Sequence, residues 1–570
     1  MTLPPSPFRK KLVTNISILL LFLFLSLLNT YPLVTHMNTH QLGDGGDGVE
    51  FLWNLWWTKT ALTEQQALYH TDYLFHPHGT DLYLHSLSPF NGLASIPLQY
   101  LFDNNLILAY NILAILHFTL AGFGMFLLVS YFTKNRFAAI AGGYIFAFCP
   151  YMMGHSLGHL NLMSTGMMPL FILYFLKFHK DPSIKHMGLS SLFLILNTLC
   201  SLYYGVLMLF FAFVYEAYYL AASRWRTKPQ PINAAFITRL LSIFIIFGIV
   251  LLPVLPGMYN ASQSGQFTAN HDTAYWSADL FSFFVPGNLS GISTLFRPFG
   301  WWNSIMHNSH TGAENQNFFG YIVLILLIFT LTVFLRRKTK NNFVFTQKYY
   351  AVFFLILALV TSVFALGTQM KLLGNVFDIK LPYYYTYKIL PLVSVPGRFT
   401  ILTVIALSIL TAIGITILSG KLGTKKNLVC IAILFLISIE FMSIPYPLTA
   451  YPVPEFYRSL AQENGDFAIY DLSHRTTGDR YLYASGRHMF YQTIHHKKIT
   501  SGRLSRNNLS VLDKAMNGPA LADLAKLNIK YVVLPADSTA YVQGLIKKLE
   551  AKGYAVAFKD LQIIVYEITL

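Results

Sequence analysis

Eleven apolar stretches recur along this 570-residue chain, and a run of that kind has few places to go other than a lipid bilayer. A spanning helix needs about 20 mainly apolar residues, since its backbone must satisfy its own hydrogen bonds where no water is available. The stretches lie at 12–34, 106–132, 137–153, 160–178, 187–201, 204–222, 235–256, 318–335, 348–367, 398–419 and 427–446. A further run at 89–102 reads as re-entrant, and the pair meeting around Ser201–Gly205 is the shortest. Only 12% of residues are charged, against roughly a quarter in soluble domains. The expected class is therefore a polytopic α-helical membrane protein with about eleven spans.

The net charge of +16 would suggest nucleic acid in a soluble chain. Here the basic residues follow the loops instead. Arg9-Lys10-Lys11, Lys134 with Arg136, Lys180 with Lys185, the 224–228 cluster, the 336–340 cluster and Lys421 with Lys425-Lys426 fall in alternate loops. The intervening loops are poor in Lys and Arg. Because cytoplasmic loops are enriched in these residues, the N-terminus is expected inside, and no nucleic-acid partner is expected. The apolar run after Lys11 exceeds the 7–15 residues or so of a signal-peptide core, so it reads as an uncleaved first span. Cys149, Cys200 and Cys430 all lie in apolar spans and offer neither a disulfide framework nor a CxxC site.

An odd number of spans leaves 447–570 outside, and composition shifts there: charged residues return and no 20-residue apolar run remains. "FAIYDL", "IKYVVL", "YAVAF" and "LQIIVYEI" read as strands, "ALADLAKLN" and "AYVQGLIKKLEAKG" as helices. The expected organisation is a membrane domain (1–446) with a large first outer loop (36–104), followed by a small extracytoplasmic α/β domain (447–570).

The first outer loop opens on "HQLGDGGDGVEFLWNLWW". After Gly48 the pattern is helical over 48–62, with Glu50, Asn54 and Thr58 forming a polar stripe on an aromatic cylinder. Such a helix is expected in the membrane interface, where tryptophan sits. Asp47 followed three residues later by Glu50 fits a capping box, with the glycines as turn residues. That reading leaves Asp44 unexplained. Carboxylates fixed just outside a bilayer suit a general base or a divalent cation, magnesium or manganese. Both aspartates are candidates for either role.

Other polar groups gather in the outer loops. His155 and His159 are four apart in "GHSLGHLN" and suit metal binding, substrate hydrogen bonding or a structural turn. "FHPHGTDLYLH" carries His76, His78, Asp81 and His85, which suit either metal binding or a folded loop over the site, punctuated by Pro77 and Gly79. Glu314 is an outer carboxylate that either completes a metal site with Asp44 and Asp47 or caps a helix. Lys388 and Arg398 end a tyrosine-rich loop. Arg398 suits bidentate phosphate binding or a snorkelling anchor.

The order of these pieces carries a resemblance. A first span, an Asp-containing turn, a juxtamembrane helix, many further spans and an outer C-terminal domain resemble the GT-C superfamily of membrane glycosyltransferases. Within it, "GDGGDGVEFLWNLWW", "FHPHGTDLYLHSLSPF", "GHSLGHLNL", "SVPGRF" and "YQTIHHKKITSGRLSR" make the chain similar to bacterial YfhO-like membrane proteins. The resemblance implies a glycosyltransferase of the bacterial inner membrane, with a polyprenyl-phosphate sugar donor and an envelope glycan or lipid acceptor. It also implies that Asp47, with Asp44 as second candidate, is the catalytic or metal-binding carboxylate. Glycines stand where many relatives have Asp-Glu or Asp-Pro, so which aspartate acts is left open, as is any metal. The rival expectations are a transporter or flippase for lipid-linked glycans, and a non-enzymatic assembly factor. A transport path needs charges inside the spans, and Glu216 and Glu440 are the few present. No GxxxxGK[ST] occurs, which argues against ATP-driven transport.

Overall fold

The computed structural model describes residues 7–222, 232–263, 273–296, 298–309, 315–336, 342–389, 393–473, 486–506, 521–536 and 540–569. All eleven apolar stretches contain helix. Among the described residues eight helices are long and apolar enough to cross a membrane, including Arg9–Asn29, Leu106–Thr133 and Pro396–Ser419. Ile184–Cys200 and Tyr321–Leu335 are shorter apolar helices, and Lys426–Phe441 adds 16 residues. At about 1.5 Å per residue these three fall short of a 30 Å hydrocarbon core. The third span breaks at Cys149, whose φ of −60° and ψ of 157° are extended. The cause is Pro150, which disfavours helical geometry in the residue before it.

The chain divides into two compact units. One comprises Met1–Thr35, Ile112–Val250 and Asn270–Tyr446; the other comprises His36–Asn111, Leu251–Ala269 and Pro447–Leu570. The first outer loop thus belongs with the C-terminal segment, not with the spans to which sequence order attaches it.

In the first unit the helix Thr400–Ser419 has eighteen of its twenty residues buried, as its all-round hydrophobicity requires. It packs against Asn342–Ala365, Arg136–Phe148 and Tyr321–Leu335. A Cβ on Gly414 would stand 2.2 Å from Thr330 Oγ1, so a glycine is what lets these two helices approach. The few carboxylates of the spans have partners within the protein. Glu440 accepts the backbone N–H groups of Tyr321 and Ile322, which begin a helix and lack intrahelical acceptors. Glu216 lies 2.6 Å from His179 Nε2.

In the second unit a five-stranded mixed sheet runs in the order Ala555–Lys559, Ile563–Glu567, Ile529–Pro535, Ala468–Asp471, Lys498–Ile499. The last three strands are mutually parallel and the others antiparallel. Alternate residues of the central strands, Ala468, Tyr470, Val532 and Leu534, pack with Leu549 of the helix Ala540–Ala551 and with Tyr566. All four expected strands form. The expected helix "ALADLAKLN" does not: its described residues, 521–528, are successive turns. Nine residues are too few for a stable helix without tertiary support, and Asn528 takes a left-handed φ of 55° that directs the chain into the next strand.

Candidate functional site: the acidic turn

The turn holding Asp44 and Asp47 is fixed from both sides within the second unit. Before it, His40–Leu42 pairs antiparallel with Leu448–Ala450, and Gly43 N–H donates to Pro447 O at 3.0 Å. Thr449 Oγ1 donates to Gly43 O at 2.9 Å. Gln41 Nε2 reaches over the turn to Gly48 O at 2.8 Å, and Tyr451 holds the same amide through Oε1 at 2.6 Å. Gly45 is required: its φ is +78°, and an added Cβ would lie 2.7 Å from Thr449 Cγ2.

Asp44 is exposed and accepts Gly46 N–H at 3.1 Å, a local turn bond that leaves carboxylate oxygen facing solvent. Asp47 precedes the helix Gly48–Thr63, but it does not cap it. Its φ of −76° and ψ of −8° are already helical, and its side chain makes no cap hydrogen bond. A capping side chain reaches the N2 or N3 amide from extended geometry, so the capping box expected from spacing is not formed. Instead, the Asp47 carboxylate accepts from the guanidinium of Arg503.

Glu50, expected as the other half of that box, is 5% exposed. It accepts from Ser505 Oγ at 2.7 Å and lies 3.4 Å from His85 Nδ1. The Ser505 amide donates to His85 Nδ1 at 3.3 Å, so the imidazole carries its proton on Nε2, which donates to Asn54 Oδ1 at 2.8 Å. Asn54 in turn donates to Ser86 O at 3.1 Å. Burial holds His85 neutral, with a pKa near 3. The polar stripe of Glu50, Asn54 and Thr58 therefore faces protein. Thirteen of the sixteen helix residues are buried, so most of the helix surface is covered by protein.

The adjacent face of this helix, which carries Val49 and Trp53, meets the helix Arg487–His495. Trp53 Nε1 donates to Gln492 Oε1 at 2.8 Å, and Trp53 stacks on Trp57 with centroids 5.7 Å apart. Gly486, at φ +68°, comes so near Val49 that a Cβ would stand 2.4 Å from its Cγ1. This approach delivers Arg503 and Ser505 to the turn. Burial, with Arg503 adding repulsion, lowers His488 to about 4. Tyr451 is raised by burial and by Asp44, against the pull of Arg487 and Arg503. Two carboxylates and two guanidiniums thus act on one small region. Arg503, Ser505 and Gln492 escaped the sequence reading; their sole signal was membership of "YQTIHHKKITSGRLSR".

The other candidates disperse. His76 Nε2 donates to Leu527 O at 2.8 Å, and Asp81 pairs with His70 at 2.9 Å. In the first unit His155 and His159 pack edge to face at 5.4 Å, with Tyr151 on His155 at 4.3 Å. Arg398, 7% exposed in the turn Pro396–Phe399, lays its guanidinium over the Tyr203 ring at 4.2 Å. That is a buried cation–π contact rather than a snorkelling anchor. Lys388 is exposed beside Tyr384, whose hydroxyl it holds below its ordinary pKa by hydrogen bonding. Glu314 lies outside the described residues. Among the described residues no three His, Cys, Asp or Glu groups converge. Magnesium and manganese want several oxygen ligands, and Asp47 already serves Arg503. These residues do not by themselves fit a divalent cation.

Among the solved structures to which this chain is similar are two transferases. One is the oligosaccharyltransferase AglB of Archaeoglobus fulgidus, solved with an inhibitory peptide and a dolichol-phosphate (12% identity, 93% of this chain and 70% of that one, TM-score 0.50). The other is the arabinofuranosyltransferase AftD from Mycobacteria (13% identity, TM-score 0.56). There 99% of this chain aligns but spans only 40% of AftD. A search of the curated proteins finds no match. At such low identity the likeness concerns the fold, which is the GT-C fold of multi-pass membrane proteins. The family model described as "Domain of unknown function (DUF6311)" matches residues 18–439, and the chain belongs to that family.

Proposed function

We propose that this chain is a membrane glycosyltransferase. It moves a sugar from a polyprenyl-phosphate donor to an envelope glycan or lipid acceptor at the outer face of a bacterial inner membrane. The observation that carries the reading is the Asp47 carboxylate, set on a rigid turn and held by Arg503 in a chain of GT-C fold. In this reaction a carboxylate takes the proton of the acceptor hydroxyl as its oxygen attacks the anomeric carbon, and the bond to phosphate breaks with its electron pair. Asp47 is assigned the base, with Asp44 as alternate. Arg503 orients Asp47 through its guanidinium. Arg398 is assigned to the donor phosphate on the chemistry of its planar guanidinium, Lys388 to supporting charge, and His155 and His159 to substrate hydrogen bonds. No step is routed through a metal.

AglB was solved with a dolichol-phosphate, which is consistent with a lipid-phosphate donor here. Kinship to YfhO-like proteins rests on motif order. The flippase alternative is disfavoured because Glu216 and Glu440 are satisfied within the protein and offer no polar path. Mass spectrometry of envelope glycans and lipid-linked sugars in cells lacking the chain tests the reading. A transferase leaves a modification missing and its polyprenyl-phosphate sugar accumulated. A completed glycan trapped on the inner side would mean a flippase instead.

A further inference from the structure

In the first unit, the loop between the spans Gln347–Ala365 and Pro396–Ser419 holds a hairpin and a short helix. The hairpin pairs Gln369–Leu372 with Asn375–Lys380, and the helix is Pro382–Ile389. One side of each element is fixed to the protein. In the helix, Tyr383 is 3% exposed and its hydroxyl donates to Val393 O. Its ring meets Phe364 and Phe399 edge to face, with centroids 6.0 Å away in both cases. Phe364 is the penultimate residue of one span and Phe399 lies in the first turn of the next. The helix therefore lies against the ends of both spans. In the hairpin, Lys371 Nζ donates to the carbonyls of Tyr275 at 3.0 Å and Ser277 at 3.2 Å. Gly374 N–H donates to Asp279 Oδ2 at 2.9 Å, and Leu381 N–H to Thr368 O at 3.1 Å, just beyond the span end.

The opposite sides are apolar and uncovered. Helix residues two apart lie about 200° apart around the axis, so Tyr385 points away from Tyr383. Ile389 follows Tyr385 by four and shares its face; the two are 58% and 85% exposed. Strand residues alternate between faces. Phe377 is opposite Met370 across the hairpin, and Lys371 is opposite Val376. Lys371 pins its own face to the protein, so the face of Met370 and Phe377 turns outward, with Phe377 40% exposed. Single exposed apolar residues are ordinary. Here the outward faces of two consecutive elements are apolar, and both elements are fastened beside the ends of spans. We propose that these faces lie in the membrane–water interface, with Phe377, Tyr385 and Ile389 against lipid. The partner is the bilayer that the flanking spans cross. Tyr384 sits beside this face with Lys380 and Lys388 over its ring, at 5.3 and 4.5 Å. Tyrosine is enriched at that depth, and lysine reaches from it toward the headgroups, anionic ones above all. A short amphipathic helix held this way lies in the plane of the interface. The proposal rests on the membrane-spanning fold and not on the transferase reading.

The test uses the full chain in vesicles of phosphatidylcholine and phosphatidylglycerol. Phe377→Cys, Tyr385→Cys and Ile389→Cys, made one at a time, carry a polarity-sensitive fluorophore. All three side chains are exposed, so the substitutions leave the packing in place. The native cysteines are buried, which makes wild type the labelling control. Phosphatidylcholine with a nitroxide high on its acyl chain quenches from the lipid side, and iodide quenches from water. The expected result at each position is blue-shifted emission, strong quenching by the nitroxide lipid, and iodide quenching severalfold weaker than for the free fluorophore. Iodide quenching equal to that of the free fluorophore would put the face in water and overturn the proposal. Protection from both quenchers would mean that a second copy or another segment of this chain covers the face, which overturns it equally.

Discussion

The guanidinium of Arg503 donates to the carboxylate of Asp47, 456 positions earlier in the chain. The two side chains are partly accessible, 24% and 37%, and such pairs contribute at most about 1 kcal/mol to stability. The pair is therefore better suited to orienting Asp47 than to holding the fold together.

Arg503→Ala is expected to cost no more than about 1 kcal/mol in thermal stability yet to lower sugar transfer by roughly tenfold or more. If Arg503 acts through Asp47, the Asp47→Asn, Arg503→Ala double variant is no slower than Asp47→Asn alone. Transfer rates of the four proteins complete the cycle. Strictly additive losses would show that Arg503 works independently of Asp47.

The two adjacent glycines of the turn should respond differently. Gly45→Ala forces a side chain into φ +78° and against Thr449; the expected result is a lower melting temperature and lost transfer. At Gly46 a Cβ meets only the end of the exposed Asp44 side chain, Oδ1 at 3.2 Å, so Gly46→Ala stays near wild type in both. Equal tolerance of the two substitutions would mean that the turn is not held as described.

Acid should destabilise the second unit through its buried histidines. His85 and His488 are lowered by burial to about 3 and about 4, while the unfolded chain titrates near 6.5. Between those values the unfolded chain binds protons that the folded chain refuses. Stability therefore falls as pH drops from about 6.5 toward 3, by up to ~1.4 kcal/mol per pH unit for each group. His85→Gln removes one such group, and its melting temperature should fall less steeply from pH 7 to 4.5. An unchanged slope would mean that His85 is protonated within the fold.

The spans were legible because an apolar run of bilayer length is a long, redundant signal, and the strands because period-two patterns survive single substitutions. The roles of Asp47 and Glu50 were not. Their three-residue spacing is the same whether they cap a helix or turn to other partners, and the backbone angles that decide between these are absent from sequence. Arg503 was unreadable for a different reason. Its pairing depends on Gly486 admitting Val49 and on Trp53 meeting Gln492, contacts between segments more than 400 residues apart. The stripe of Glu50, Asn54 and Thr58 was read correctly as one face, but periodicity does not say whether a polar face meets water or buried partners such as His85 and Ser505.

Topology has a direct check. Asp44 and Val556 are both exposed within the second unit, and the native cysteines are all buried. Single cysteines introduced at 44 and 556 are expected to react with an impermeant thiol reagent in intact spheroplasts. Labelling of either one only after lysis would reverse the proposed orientation.

The central claim is that the Asp47 carboxylate is the base of sugar transfer, and Asp47→Asn tests it most directly. The variant keeps size and polarity but loses the proton acceptor, together with the charge that pairs with Arg503. Transfer from polyprenyl-phosphate sugar is measured in membranes with matched amounts of wild-type and variant protein. The expected result is a fall of roughly 100-fold or more with unchanged insertion and a loss of stability of at most about 1 kcal/mol. A variant that transfers sugar at the wild-type rate would contradict the account.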